Sequence, residues 1–169
     1  EGRIKITGLK SVMTRDRNRP RVLLKVETDE GVYGWGEVYN HGPDLAIPPV
    51  IDYIFELIKG DDPTRIEYIM LKLFQQMRFP PGALGLAAMS ALDHALWDLS
   101  GRAAGLPVYK LLGGNVRDKI RVYRSIRGDD GKAAAEQAKE LNAKYGFTAF
   151  KTTPFKLEPN SNRWGRVCD

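Results

Sequence analysis

Four polar residues fall at four-residue intervals in the middle of the chain: Ser90, His94, Asp98 and Arg102. Side chains spaced by four share one helix face, so a serine, a histidine and an aspartate could meet there as a hydrolytic triad. The chemistry argues otherwise. A nucleophilic serine needs an exposed, strained turn beside an oxyanion hole, and a serine between Met89 and Ala91 in mid-helix has neither. Asp98 and Arg102 are instead expected to form an i,i+4 ion pair, with His94 a hydrogen-bonded structural histidine. Three other groups could meet a ligand. Arg15, Arg17 and Arg19 recur in TRDRNRPR, Tyr39, Asn40 and His41 follow a strand, and Lys151 and Thr153 close an apolar run. Glu37 reads as a structural acid near a domain junction, and nothing in the spacing of Arg78, Phe79 and Pro80 marks a site.

Elements that could position these groups are legible in the hydrophobic pattern. Ile4 and Ile6 alternate with polar neighbours in a first strand, and Val22, Leu24 and Val26 do so in a second. The stretch 13–21 between them reads as a polar loop. After a tight turn at Asp29–Gly31, residues 32–38 form a third strand, and strands joined so closely must be antiparallel. Two amphipathic helices follow. The first, over 48–58, has Ile47, Val50, Ile51, Ile54, Leu57 and Ile58 on one face, prolines in its first turn and Gly60 as its cap. The second is capped by Asp62, with Pro63 at its first position and a stripe of Ile66, Ile69, Met70, Leu73, Phe74 and Met77.

The stretch 85–114 organises the rest. Leu84, Ala88, Leu92, Leu96, Leu99 and Ala103 keep helical period, and Ala87, Ala91 and Ala95 widen the stripe, so this helix is expected to be covered on more than one side. Gly105 sits where a left-handed cap belongs, with Pro107 blocking continuation. Past Gly114 the pattern becomes strand (119–126), helix (from about Lys132, with Ala134, Ala138, Leu141 and Tyr145 on one face and Gly146 as cap), then strand (147–150). One crossover between two strands makes them parallel. Two parallel strands alone leave both edges open, so further strands are expected beyond Asp169. The expected fold is thus an α+β domain over 1–114, antiparallel sheet plus helices, and a truncated βαβ unit over 115–169.

Composition bounds the function. The 169 residues are 43% hydrophobic and 28% charged, with a net charge of +5 spread along the chain. That excludes the basic runs expected of nucleic-acid or membrane binding but suits small anions. Cys168 is the only cysteine, so there is neither a disulfide framework nor a cysteine metal site. Without a membrane-spanning apolar run or a signal peptide, the expected location is the cytoplasm.

Three segments carry a family resemblance: GVYGWGE at 31–37, SALDHALWDLSGRAAGLPVYKLLGG at 90–114 and GFTAFKTTPF at 146–155. In these the chain resembles the mandelate racemase/muconate-lactonising branch of the enolase superfamily, and especially its acid-sugar dehydratases. The resemblance implies an α+β capping domain followed by a modified TIM barrel, of which 115–169 would be the first strands. It implies abstraction of the proton α to a carboxylate, Mg²⁺ stabilising the ene-diolate, and loss of a β-hydroxyl to give a 2-keto-3-deoxy acid. The family's metal ligands lie on later barrel strands, so no ligand is assigned in 1–169 and this stretch alone is expected to be inactive.

The resemblance also assigns residues. Lys151 matches the first lysine of the family's Lys-x-Lys motif, where a cation at the C-terminal end of a barrel strand can stabilise developing negative charge. Thr153 stands where the second lysine would be, and a threonine is no general base at neutral pH. The base would then come from later in the chain, a departure that favours dehydration over racemisation. Arg15, Tyr39 and His41 lie in loops that in the resembled family cover the barrel mouth, where a polar, cationic set suits a polyhydroxylated acid. The expected partners are a small carboxylate substrate, a sugar acid, and further copies of the chain, with no nucleic acid and no membrane. The alternatives are a racemase, epimerase or cycloisomerase of the same superfamily, and a non-catalytic α+β binding or interface module.

Overall fold

Strands β1 (Ile6–Asp16), β2 (Arg19–Thr28) and β3 (Tyr33–Glu37) form an antiparallel sheet in the order β1-β2-β3. The structure is a computed structural model, describing residues 4–16, 19–39, 44–76, 81–128 and 130–152. Strict alternation sends Val22, Leu24, Val26 and Thr28 of β2 inward. On β1 a register shift between Ile6 and Gly8 inverts the parity, so that Ile6 and Leu9 both face the core. The expected loop at 13–21 is instead the end of a hairpin, paired Met13↔Val22, Thr14↔Arg21, Arg15↔Pro20 and Asp16↔Arg19. The hydrophobic pattern could not disclose this, because side chains from Val12 to Arg15 are exposed on both faces and no buried set marks the period.

The chain divides into two compact units, Glu1–Asn115 and Val116–Asp169. In the first, a 3-10 turn at Asp44–Ala46 leads into α1 (Ile47–Ile58), whose Ile47, Ile51, Ile54 and Ile58 are buried. Gly60, at φ +84°, turns the chain back. Its N–H donates to the Ile6 carbonyl (2.9 Å) while the Ile6 N–H donates to Asp61 (2.9 Å), closing the outer edge of β1. Helix α2 spans Ile66–Gln76, four residues after its expected cap. The Asp62 carboxylate accepts from the N–H (2.9 Å) and hydroxyl (2.7 Å) of Thr64, and this local turn holds Pro63 and Thr64 outside the helix. Ile66, Ile69 and Leu73 face the core, but Phe74 is 55% exposed. At 100° per residue it lies roughly a quarter-turn off the centre of that stripe. Met77 lies outside the described residues.

Helix α3 (Gly82–Ala104) is 23 residues long, about 34 Å, and buries Ala88, Met89, Ala91, Leu92, Ala95, Leu96 and Leu99. Ala103, expected in the stripe, is exposed. The helix ends at Gly105 (φ +66°), with the Leu106 N–H bonded back to Gly101 at 2.9 Å, before a short helix α4 (Val108–Leu111). Strand β3 lies directly on α3. A Cβ on Gly34 would stand 2.0 Å from the Ala95 carbonyl oxygen, and one on Gly36 1.9 Å from that of Ala91. Only glycine allows this approach, and it explains the GWG of the 31–37 segment.

In the second unit β4 (Arg124–Ser125) pairs parallel with β5 (Phe150–Lys151), with α5 (Gly131–Tyr145) between them in sequence. The parallel pairing is as expected, but both strands are shorter than their apolar runs. Ile120 and Val122 are 76% and 60% exposed, since pairing exists only where β5 offers a partner. Asp130 caps α5, its carboxylate accepting the Ala133 N–H at 2.8 Å. Ala134, Ala138 and Leu141 are half-buried, whereas Tyr145 is exposed. Among the described residues no helix is long and apolar enough to cross a membrane.

Candidate functional site

The tight turn at Asp29–Gly31 fixes the register of β2 against β3, and that register gathers one group of candidates. Leu23 faces Glu37, the last residue of β3, and the Val38 N–H donates to the Val22 carbonyl at 2.9 Å. The β2–β3 ladder ends there, while β1 and β2 pair on to Asp16↔Arg19. Arg15 lies on that extension, opposite Pro20, and its side chain is exposed. Tyr39 leaves β3 at the same end of the sheet and is 72% exposed, one residue after the fully buried Val38. The structure therefore brings Arg15 and Tyr39 to one end of one sheet. His41 and Thr153, the other two substrate-binding candidates, lie outside the described residues, as do Arg17, Asn40, Arg78, Phe79 and Pro80.

An ion pair at this end was not foreseen. Arg21 Nη1 donates to Glu37 Oε1 at 2.7 Å, both side chains being partly exposed. Glu37 is thus more than a junction acid. The clue lay in the turn: if Leu23 faces Glu37, Arg21 sits two residues further along the same face.

The outer face of the sheet holds a second charged set. Glu27 accepts from Lys10 (2.7 Å) and Lys25 (2.9 Å), and these bonds hold its carboxyl below the usual carboxylate range. Lys25 also lies over the Tyr33 ring at 4.6 Å. These groups satisfy one another.

Two members of the polar stripe of α3, Asp98 and Arg102, make structural contacts. Asp98 Oδ2 accepts from Arg102 Nε at 3.0 Å and from the Trp35 N–H at 2.9 Å. The carboxylate thereby caps an amide on the open edge of β3, and its hydrogen bond raises the pKa of Arg102. Ser90 and His94 are both exposed. His94 takes no hydrogen bond among the described residues, which corrects the expectation of a bonded histidine: its rim position leaves it to solvent.

Lys151 belongs to the second unit. It is exposed, at the C-terminal end of β5, where it pairs with Ser125 and its carbonyl accepts the Ile126 N–H at 2.9 Å. Its ammonium has no carboxylate partner among the described residues, which leaves a cation available at a strand end. An open groove of about 650 Å³ lies elsewhere, at the C-terminal half of α3, lined by Tyr68, Trp97, Ser100 and Leu111. Among the described residues no group of three or more His, Cys, Asp or Glu could hold a metal ion. The described residues therefore do not by themselves make up a Mg²⁺ site.

A three-stranded antiparallel sheet seated by two glycines on one long helix, ahead of a βαβ unit, defines an α+β domain of the capping type. The profile of the mandelate racemase / muconate lactonizing enzyme N-terminal domain matches residues 4–113, and the chain belongs to that family. A D-galactonate dehydratase of Xanthomonas axonopodis pv. citri is 41% identical over 133 residues, 78% of this chain and 35% of the relative. One from Pectobacterium atrosepticum is 39% identical over 140 residues, 82% and 36% respectively. The chain thus spans about a third of the length of these relatives. Among solved structures, an enolase from Agrobacterium radiobacter bound to sodium and L-malate superposes with a TM-score of 0.84 at 55% identity, over 96% of this chain and 42% of that one. An enolase from Pantoea ananatis with bound D-gluconate and magnesium gives a TM-score of 0.84 at 33% identity, over 89% and 37%.

Proposed function

We propose that residues 1–169 are the N-terminal portion of an acid-sugar dehydratase, with the second unit, over 115–169, contributing the opening strands of a barrel. The observation that carries this is the likeness to named D-galactonate dehydratases, which runs through about four-fifths of the chain rather than one motif. The reaction removes the proton α to a carboxylate and expels the β-hydroxyl as water, leaving an enol that becomes a 2-keto-3-deoxy acid.

This chain's own residues take three parts. The Lys151 ammonium pairs with the substrate carboxylate and stabilises the negative charge that grows on it as the proton leaves. Thr153 offers a hydroxyl for positioning and cannot accept the proton. Arg15, Tyr39 and His41 hydrogen-bond the hydroxyl groups or far carboxylate of the acid. Because a racemase needs a base on each face of the α-carbon, the threonine at 153 favours dehydration. Magnesium accompanies gluconate in the Pantoea relative.

The test uses the complete protein with a panel of aldonic and aldaric acids, following 2-keto-3-deoxy acid formation. Lys151→Ala is expected to lower kcat on the order of 10²-fold, by analogy with a lost oxyanion donor, and Thr153→Val far less. Near-wild-type turnover by Lys151→Ala removes its role. Absence of turnover on the whole panel refutes the dehydratase reading in favour of a non-catalytic module, and racemisation as fast as dehydration favours the racemase.

A further inference from the structure

In the second unit, helix α5 holds the parallel pair through two side-chain amides, one at each end of the strands. Gln137 Oε1 accepts the Arg127 N–H at 2.6 Å, just past Ser125, the last residue of β4. Asn142 Nδ2 donates to the Phe147 carbonyl at 2.8 Å, shortly before β5 begins at Phe150. Because β4 and β5 are parallel and α5 lies between them in sequence, the first contact is at the C-terminal end of the strands and the second at the N-terminal end. Lys151 belongs to the C-terminal end. Its carbonyl accepts the Ile126 N–H at 2.9 Å, and the next amide along the chain, that of Arg127, is the one Gln137 takes. Gly128 follows, packed so tightly on α5 that a Cβ there would stand 2.5 Å from the Ala134 nitrogen. Helix, strand exit and Lys151 are thus joined by consecutive backbone contacts. In barrel-type units the C-terminal strand ends serve chemistry and the N-terminal ends serve stability.

We propose that Gln137 is a positioning residue for Lys151 and acts through β4. Its amide oxygen fixes the exit of β4, and the bond from Ile126 to the Lys151 carbonyl passes that position on to β5. This rests on the reading of Lys151 as the cation that meets the substrate carboxylate, and extends it to a helix residue that touches no substrate. Lys151 is exposed, so where its ammonium meets the growing charge depends on where its backbone is held. A misplacement of about an ångström can cost on the order of 10²-fold in rate, and one hydrogen bond among several controls only part of that. Asn142 makes the same kind of contact at the far end of the strands and has no such role.

The test uses the complete protein and a sugar acid that it dehydrates. Gln137→Met keeps the length of the side chain and removes the acceptor. It should lower kcat about three- to tenfold, the range that one net hydrogen bond controls, with KM changed by less than about twofold. Gln137→Glu retains an oxygen acceptor and should restore kcat. In a Lys151→Ala background Gln137→Met should cost nothing further, because a residue that acts only through Lys151 then has nothing to position. Asn142→Ala should lower the unfolding midpoint and leave kcat of the folded protein within about twofold. Amide hydrogen exchange at Ile126 and Arg127 should quicken about three- to tenfold in Gln137→Met and return to its original rate in Gln137→Glu. An unchanged kcat in Gln137→Met, no recovery in Gln137→Glu, an undiminished effect in the Lys151→Ala background, or an equal loss of kcat in Asn142→Ala overturns the proposal. The exchange measurement needs no turnover. If the protein dehydrates no sugar acid, the proposed function fails, while exchange at Ile126 and Arg127 still decides whether Gln137 holds the strand exit.

Discussion

Gly36→Ala is the most direct probe of how this domain is assembled. A Cβ at that position would lie 1.9 Å from the Ala91 carbonyl oxygen, and atoms of that kind do not approach closer than 3.0 Å. Strand and helix must therefore part by about 1.1 Å, and the obstacle is backbone that cannot rotate aside as a flexible side chain could. A gap of that size forfeits a quarter to half of the dispersion energy across the seam, where β3 meets Ala91, Ala95 and Leu99. Overpacking of an ordinary core costs ~1–3 kcal/mol; with a rigid partner the expected loss is about 3 kcal/mol or more, a large part of a domain's ~5–15 kcal/mol. Gly34→Ala meets Ala95 at 2.0 Å and should cost as much. One displacement relieves both clashes, so the double variant should cost clearly less than the sum. Gly31→Ala is the control, with nothing within 4 Å but a φ of +75°, worth about 1–2 kcal/mol of backbone strain. The assay is urea unfolding of the complete protein followed by circular dichroism, with exchange at Trp35 reporting the strand. If Gly36→Ala costs no more than Gly31→Ala, the close approach is not what holds β3 to α3.

Three further outcomes can be checked on the same protein. Leu96→Ala, at a fully buried position, should cost about 2–5 kcal/mol in the same unfolding assay; a loss below about half a kilocalorie contradicts its place in the core. Asp98→Asn should weaken both the Trp35 amide bond and the Arg102 pair, at a cost of about 1 kcal/mol, and quicken amide exchange at Trp35 without changing that at Val26. The lowered pKa of Glu27 stabilises the folded protein above the ordinary carboxyl value of 4.5, and this contribution is lost as pH falls through the lowered value. Glu27→Gln should therefore flatten the fall in stability between neutral pH and about pH 3, and an unchanged acid limb would show that the two lysine contacts carry no weight.

What could be read from the sequence follows from what buries a face. Helices α1 and α3 were legible because Ile47, Ile51, Ile54 and Ile58, or Ala88, Leu92, Leu96 and Leu99, must leave water together. The caps at Gly105 and Gly146 were legible because positive φ selects glycine. The hairpin over 13–21 was not, because backbone pairing requires no apolar residue and leaves no period behind. Phe74 and Ala103 misled for the opposite reason: an apolar residue at the margin of a stripe satisfies the period and still faces solvent. The start of α2 was displaced by a hydrogen-bonding competition at Asp62 that composition alone leaves undecided between cap and turn. For the site, the sequence supplied candidate types at Arg15, Tyr39 and Lys151 but no distances. Register was the missing quantity, and the turn at Asp29–Gly31 contained it.

That register links the packing of the domain to its candidate site. Strand β3 has five residues, and its inner positions, Gly34 and Gly36, are spent on contact with α3. Its outer positions, Tyr33, Trp35 and Glu37, are therefore held to the same accuracy as the seam. Trp35 is fixed twice, by its side of the strand and by the Asp98 carboxylate on its amide. Glu37 inherits that precision and passes it to Arg21 across 2.7 Å. The glycines that look like a packing device thus also determine where the Arg21–Glu37 ion pair forms, and displacing the strand by about an ångström at Gly36 would move Glu37 by a comparable distance. An ion pair formed at 2.7 Å does not survive such a shift without rearrangement. Gly36→Ala should accordingly quicken amide exchange at Val38, whose N–H donates to Val22 beside this pair, whereas Leu96→Ala, at a position on α3 rather than on β3, should leave that amide unchanged.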